Sequence, residues 1–230
     1  KEPGRIPNDI RLVKTINSTL EEQLRRSVFH VAGHAYAICC INKERYLPPV
    51  YFQVKLNKIL DETKFSNLVF QKDYRDQFAT LEGGLLINTV PQSLESLFNE
   101  KISVGSIESK MEEAIFVLET DIINLFTGPL TELKYVNSIA DKSFNQSYQN
   151  IYELEHYGGE AKLLLIKQYM QCITNNDSES EGKLAELFSF AFNFVDKNKN
   201  WLAIISLANY LMESDKKCFF YEEIASLLSL

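Results

Sequence analysis

Two of the chain's three histidines, His30 and His34, stand four residues apart in Ser27-Val28-Phe29-His30-Val31-Ala32-Gly33-His34-Ala35. On a helix, residues i and i+4 share one face, so both imidazoles would project to the same side, as two ligands of one Zn²⁺ ion must. The chemistry in question is metal-assisted hydrolysis. In the H-E-x-x-H arrangement the two histidines hold zinc, and the Glu beside the first takes a proton from the metal-bound water. Val31 stands where that Glu belongs, and a valine accepts no proton. The metal-holding geometry is therefore expected without its general base. The plain alternative is a pair of helix histidines hydrogen-bonded within the fold.

Other side chains are candidates for the missing roles. Glu21, Glu22 and Glu155 are carboxylates that could serve as a displaced base, although no spacing brings any of them to a metal-bound water. His156, just before Gly158-Gly159, is either a further ligand or an exposed loop histidine. Phe188, Phe190, Phe192 and Phe194 alternate along one helical stretch and cannot share a face, which predicts a helix packed on two sides or an interface between copies.

The elements that must position these residues are mainly helical, with a small antiparallel sheet after the first long helix: a mainly α, α+β class. Residues 1–14 read as an irregular entry. Ser18-Thr19-Leu20-Glu21 matches a capping box opening the first long helix, which runs to about residue 42. Leu20, Leu24, Val28, Ala35 and Ile38 give it an apolar stripe. Pro48-Pro49 closes that region. Residues 50–54, 67–71 and 85–90 are β-rich and form the expected sheet. A short helix begins near Pro91. Residues 106–126 form a second long helix, interrupted at Thr127-Gly128-Pro129 and continued as a kinked extension to residue 135. Residues 137–150 read as a loop. Helices are expected from Glu160 to about 173, over 180–196 and 199–213, and over 221–228. We read one domain over 1–230, with the motif helix, sheet and long helix in 15–135 and a helical part in 136–230.

Composition narrows the function classes. A hydrophobic content of 45% over 230 residues supports a sizeable core. A net charge of −7 argues against nucleic acid as a partner. Four cysteines, Cys39, Cys40, Cys172 and Cys218, form no C-x-x-C pair and no disulfide framework, which fits a cytoplasmic setting. No apolar run is expected to span a membrane. The chain starts at Lys1, so a preceding segment or anchor stays an open matter.

Several stretches resemble one family, the FtsH-like zinc metallopeptidases and their stand-alone bacterial relatives. His30-Val31-Ala32-Gly33-His34-Ala35 is similar to the family's H-E-A-G-H-A, departing only at Val31. Ile123-Asn124-Leu125-Phe126-Thr127-Gly128-Pro129-Leu130-Thr131-Glu132 resembles a family helix with an apolar run, a small-residue step and a Glu. Tyr157-Gly158-Gly159-Glu160-Ala161-Lys162 looks like the glycine turn before the helix that carries an acidic third zinc ligand. The stretch from Trp201 to Leu228 is similar to the paired closing helices of the stand-alone relatives. The resemblance implies a zincin-like helical domain. It makes His30 and His34 the first two metal ligands, with the third at Glu160 or, after a shift of one or two residues, at Lys162. Glu160 would complete a site of two imidazoles and a carboxylate. Lys162 would put an ammonium against the metal.

The reading that follows is a degenerate metallopeptidase-like domain, a pseudopeptidase whose cleft binds or scaffolds a protein or peptide partner and holds zinc weakly or not at all. A zinc-dependent hydrolase with a displaced base is the alternative, and a metal-free helical interaction domain, including a homo-oligomer, is the second.

Overall fold

The computed structural model describes residues 8–57, 78–87, 89–91, 93–94, 107–146, 151–174 and 176–229. In chain order it comprises α1 (Asn8–Glu44), β1 (Phe52–Leu56), β2 (Ala79–Gly83), α2 (Ile107–Ile139), a 3-10 helix (Ile151–Tyr157), α3 (Glu160–Ile173), α4 (Asp177–Asp196), α5 (Asn198–Glu213), β3 (Cys218–Phe220) and α6 (Tyr221–Leu227). It is a mainly helical α+β fold with one three-stranded antiparallel sheet, as the sequence predicts.

Two helices make the centre. Residues 27–42 of α1 and 120–133 of α2 are buried on every side, rather than along one stripe. That happens because α1 is enclosed by α2, α5 and the sheet, while α2 is also covered by α3 and α4. A helix covered all round needs small residues where a neighbour's backbone comes close, and Gly33 meets that need against α2. A Cβ added there would lie 2.0 Å from Thr131 Oγ1 and 2.5 Å from Thr131 Cβ. Gly128 answers from the other helix, where a Cβ would come within 2.8 Å of His30 Nε2. The expected interruption at Thr127-Gly128-Pro129 is therefore absent: α2 runs through Pro129 without a break. Proline costs a helix one backbone donor and crowds the preceding turn. Here the buried crossing with α1 holds the turn in place, and the Thr127 hydroxyl donates to Asn124 O (2.6 Å) just before it. By length and composition the stretch Ser109–Ile139 would suit a membrane span, with an 18-residue window of mean hydropathy 1.2, yet 72% of that window is buried inside the protein.

The sheet order is β2-β1-β3, with Val54 of β1 opposite Leu81 on one side and Phe219 on the other. Its third strand is thus Cys218–Phe220 and not the expected 85–90. Leu86 and Ile87 do not extend the ladder, because a carboxylate has taken their backbone donors. Asp121 on α2 accepts from Leu86 N (2.9 Å) and Ile87 N (3.0 Å). Gly83 and Gly84, at φ +84° and +85°, turn the chain toward it. The strand expected over 67–71 and most of the short helix expected near Pro91 lie outside the described residues. Two boundaries also move. α1 begins at Asn8, so residues 8–14 are helical and Ser18 is interior rather than a cap. Asn176 caps α4 through Glu179 N (2.9 Å). The four phenylalanines of α4 divide as their alternation requires. Phe188, Phe192 and Phe194 are buried, with Phe188 edge-on to Phe126 and Phe192 stacked on Phe144, while Phe190 faces out beneath Arg45.

Candidate functional site

His30 and His34 line one cavity of about 390 Å³ together with Val31, Leu125 and Glu132. The strand residues Ala79, Thr80, Leu81, Glu82 and Gly83, with Ser27, Leu85, Gly158 and, from α3, Lys162, complete its walls. Both histidines are buried, at 8% and 5% exposure. The helical spacing that puts them on one face also adds Arg26, four residues before His30.

A chain of polar contacts runs through His30. Glu132, with no exposed surface, accepts from Arg26 Nη2 (2.8 Å) and Nε (3.1 Å) on Oε1. Its Oε2 lies 3.2 Å from His30 Nδ1, which also sits 3.1 Å from the carbonyl of Tyr157. Two acceptors at Nδ1 place the ring proton there, so Nε2 presents a lone pair. Lys162 Nζ donates to that lone pair at 2.8 Å. This is the nitrogen through which His30 would hold a metal.

The turn before α3 explains how Lys162 arrives there. Gly158 has φ +71°, and a Cβ on Gly159 would sit 2.4 Å from the Leu154 carbonyl. The Gly159 N–H donates to that same carbonyl (2.9 Å), locking the start of α3 against the 3-10 helix. From that start, Glu160 and Lys162 stand two residues apart and point to different sides of the helix. Glu160 is exposed and outside the cavity lining, whereas Lys162 is in it. Of the two candidates for the third position, it is Lys162 that meets the imidazole.

His34 sits differently. Its Nε2 is buried and has no hydrogen-bond partner, a situation that costs about 1–3 kcal/mol. Burial, then the charge of Lys162, then neighbouring His30 hold its pKa well below the usual histidine value, so the ring is neutral.

The other candidate residues lie elsewhere. Glu21 is exposed and pairs with Arg25 (2.9 Å), Glu22 accepts from the Tyr135 hydroxyl (3.2 Å), and Glu155 and His156 are exposed on the 3-10 helix. None lines the cavity. Among the described residues, no group of three or more His, Cys, Asp or Glu side chains is arranged to hold a metal ion. Zinc does not fit the donor set that the described residues bring to this cavity. The carboxylate nearest His30 is on the far side of its ring, at Nδ1, and an ammonium occupies the approach to Nε2.

Sequence reasoning missed the roles of Arg26 and Glu132. The four-residue step from Arg26 to His30 to His34 was one available signal. The second was Glu132, four residues after Gly128 and so on the same face of α2 as the glycine packed on His30. Nothing local announced that the Tyr157 carbonyl or strand β2 would close the site. Comparison of the chain with models of known protein families, with curated proteins and with solved structures found no match in any of the three.

Proposed function

We propose that this chain is a degenerate metallopeptidase-like domain, related to the FtsH-like peptidases, whose cavity binds a ligand or partner and does not hydrolyse it. The observation that carries the reading is the 2.8 Å contact from Lys162 Nζ to His30 Nε2. A metal bound through His30 needs that lone pair, and the ammonium already uses it. A fixed cation on a side chain thus stands where a peptidase would place a mobile one, and it ties α3 to α1 as a shared metal would. Val31 supports the same conclusion independently, since its buried side chain occupies the base position and cannot move a proton. Loss of a general base alone typically lowers a rate by about 10²–10⁴-fold. Glu132 is no substitute, because Arg26 and His30 engage both of its oxygens.

One observation favours the hydrolase alternative: His34 Nε2 is a buried nitrogen in need of a partner. That reading requires Lys162 to leave His30 and a base to enter from outside the cavity. Hydrolysis of casein and of unstructured peptides, assayed with excess zinc against a His30→Ala control, separates the two. The proposal expects equal, background rates. Zinc-dependent cleavage by the wild type that is lost in the control would sink it.

A further inference from the structure

The segment after β2 is held by side chains rather than by a ladder. Residues 84–87 belong to no helix or strand, and Leu85, Leu86 and Ile87 are half-buried. Two other elements fasten them. Asp121 of α2 accepts from Leu86 N (2.9 Å) on Oδ1 and from Ile87 N (3.0 Å) on Oδ2. The Tyr169 hydroxyl of α3 donates to the Ile87 carbonyl (2.9 Å), and Cys172 Sγ, three residues on, donates to the Pro91 carbonyl (3.3 Å). We infer that residues 84–87 form a proton-controlled strap on the cavity wall, seated while the Asp121 carboxyl holds a proton and opening more often once it has ionised.

Asp121 has no exposed surface, and among the described residues no Lys, Arg or His nitrogen pairs with it. The ionisable groups on the elements around it are engaged with others. From α3 come Tyr169 and Cys172, which bind the strap itself. Arg45 of α1 donates to the neighbouring Thr120 Oγ1 (2.9 Å), and Lys183 of α4 pairs with Glu119 (2.7 Å). Two N–H dipoles are the hydrogen-bond partners of the carboxyl, and burial outweighs them, raising it from 3.8 to about 7. A neutral carboxyl still accepts from both, through its carbonyl and its hydroxyl oxygen. Lifting the strap brings water to the group, where the ordinary value returns, so the seated strap binds the proton more tightly. Its advantage is full below 3.8 and is lost as pH rises through about 7, by at most about tenfold in the opening equilibrium per pH unit.

Hinge and consequence lie on the same stretch. Gly83 and Gly84, both at positive φ, let the chain re-aim where a side chain would strain it. Gly84 N still donates to Tyr51 O (3.2 Å), which holds the chain to the sheet up to that point. Beyond it Leu85 lines the cavity beside Leu81 and Gly83 of β2. An opened strap takes Leu85 off that wall and widens the cavity along β2. The inference concerns access to the cavity, and it holds whether or not the site hydrolyses anything.

Native-state amide exchange of the full chain, followed by NMR from about pH 4.5 to 8 and expressed as protection factors, reads the strap directly. In the wild type the protection of Leu86 and Ile87 should fall by up to about tenfold per pH unit until about pH 7 and then level off. It should also stay below that of the buried Ile123 and Phe126 in α2, and be unchanged by urea below the unfolding transition, because a local opening exposes little surface. Asp121→Asn should make it independent of pH. Tyr169→Phe should lower it several-fold at every pH by removing the donor to the Ile87 carbonyl, with the pH slope intact. Protection of Leu86 and Ile87 that does not change with pH in the wild type would overturn the inference. So would protection and urea sensitivity equal to those of Ile123 and Phe126, since the strap would then open only with the whole fold. Both of these outcomes are read on wild-type protein and need no variant to fold.

Discussion

Lys162 changes what the histidine pair means. By sequence alone His30 and His34 read either as two metal ligands with a missing base or as a hydrogen-bonded helix pair. Beside an ammonium they become an acceptor and an orphan donor. His30 is fully employed, with Nδ1 toward Glu132 and the Tyr157 carbonyl and Nε2 toward Lys162, while His34 has an unmatched nitrogen. Removing one member of a buried charged set usually costs far more than the set contributes, because a partner is left buried without compensation. Arg26, Glu132, His30 and Lys162 form one such connected set, so loss of any one member leaves its neighbour short of a partner. Asp121 is the other buried acid with a defined task. Burial pushes it up to about 7, against the Leu86 and Ile87 N–H groups that pull it down. A carboxyl whose folded pKa exceeds its unfolded value of 3.8 binds its proton more readily when folded. Its stabilisation is thus fully present below 3.8 and is lost as pH rises through about 7. Replacing it in Asp121→Asn should flatten the pH profile of stability in that window, where the wild-type slope is at most about 1.4 kcal/mol per pH unit from this group. Urea unfolding at several pH values from 4 to 8 reads the difference directly. Identical slopes for the two proteins would contradict it.

At the scale of elements, the crossing of α1 and α2 sets the site, and much of it was legible. Periodicity gave both long helices, and the glycine turn at 158–159 gave the start of α3. What was not legible had physical causes outside each local window. Thr127-Gly128-Pro129 reads as a breaker in isolation, yet it is the place where α2 must come close to α1, and the buried contact overrides the local cost. Residues 85–90 have strand composition, but Asp121, more than thirty positions away, claims the backbone donors of Leu86 and Ile87. The third strand came from the other end of the chain, in a three-residue segment too short to announce itself. Gly33 carries a specific expectation. Alanine is intrinsically better in a helix by about 1 kcal/mol, so on propensity Gly33→Ala would stabilise. The added Cβ would instead fall 2.5 Å from Thr131 Cβ, which no rotamer of Thr131 can relieve. Forcing the helices apart costs about 1–3 kcal/mol or more in a packed core. Thermal or urea unfolding should show Gly33→Ala less stable than wild type, while equal or greater stability would refute the close crossing.

For the whole molecule, the arrangement is that of a cleft between a two-helix centre and the edge strand β2, closed from below by α3. Three statements about it depend on one another. Val31 offers no base beside His30, Lys162 Nζ contacts His30 Nε2 at 2.8 Å, and both side chains line the same cavity. The tie between α3 and α1 through Lys162 also carries a prediction about position 162. An aspartate at that position would give His30 and His34 the carboxylate their geometry lacks, producing a site of two imidazoles and one carboxylate.

Zinc content after metal-replete purification without a His tag, for wild type, Lys162→Asp and His30→Ala, tests the central claim most directly. The account predicts no stoichiometric zinc in the wild type or in His30→Ala, and about one zinc per chain in Lys162→Asp. One zinc per wild-type chain, lost on His30→Ala, would contradict it.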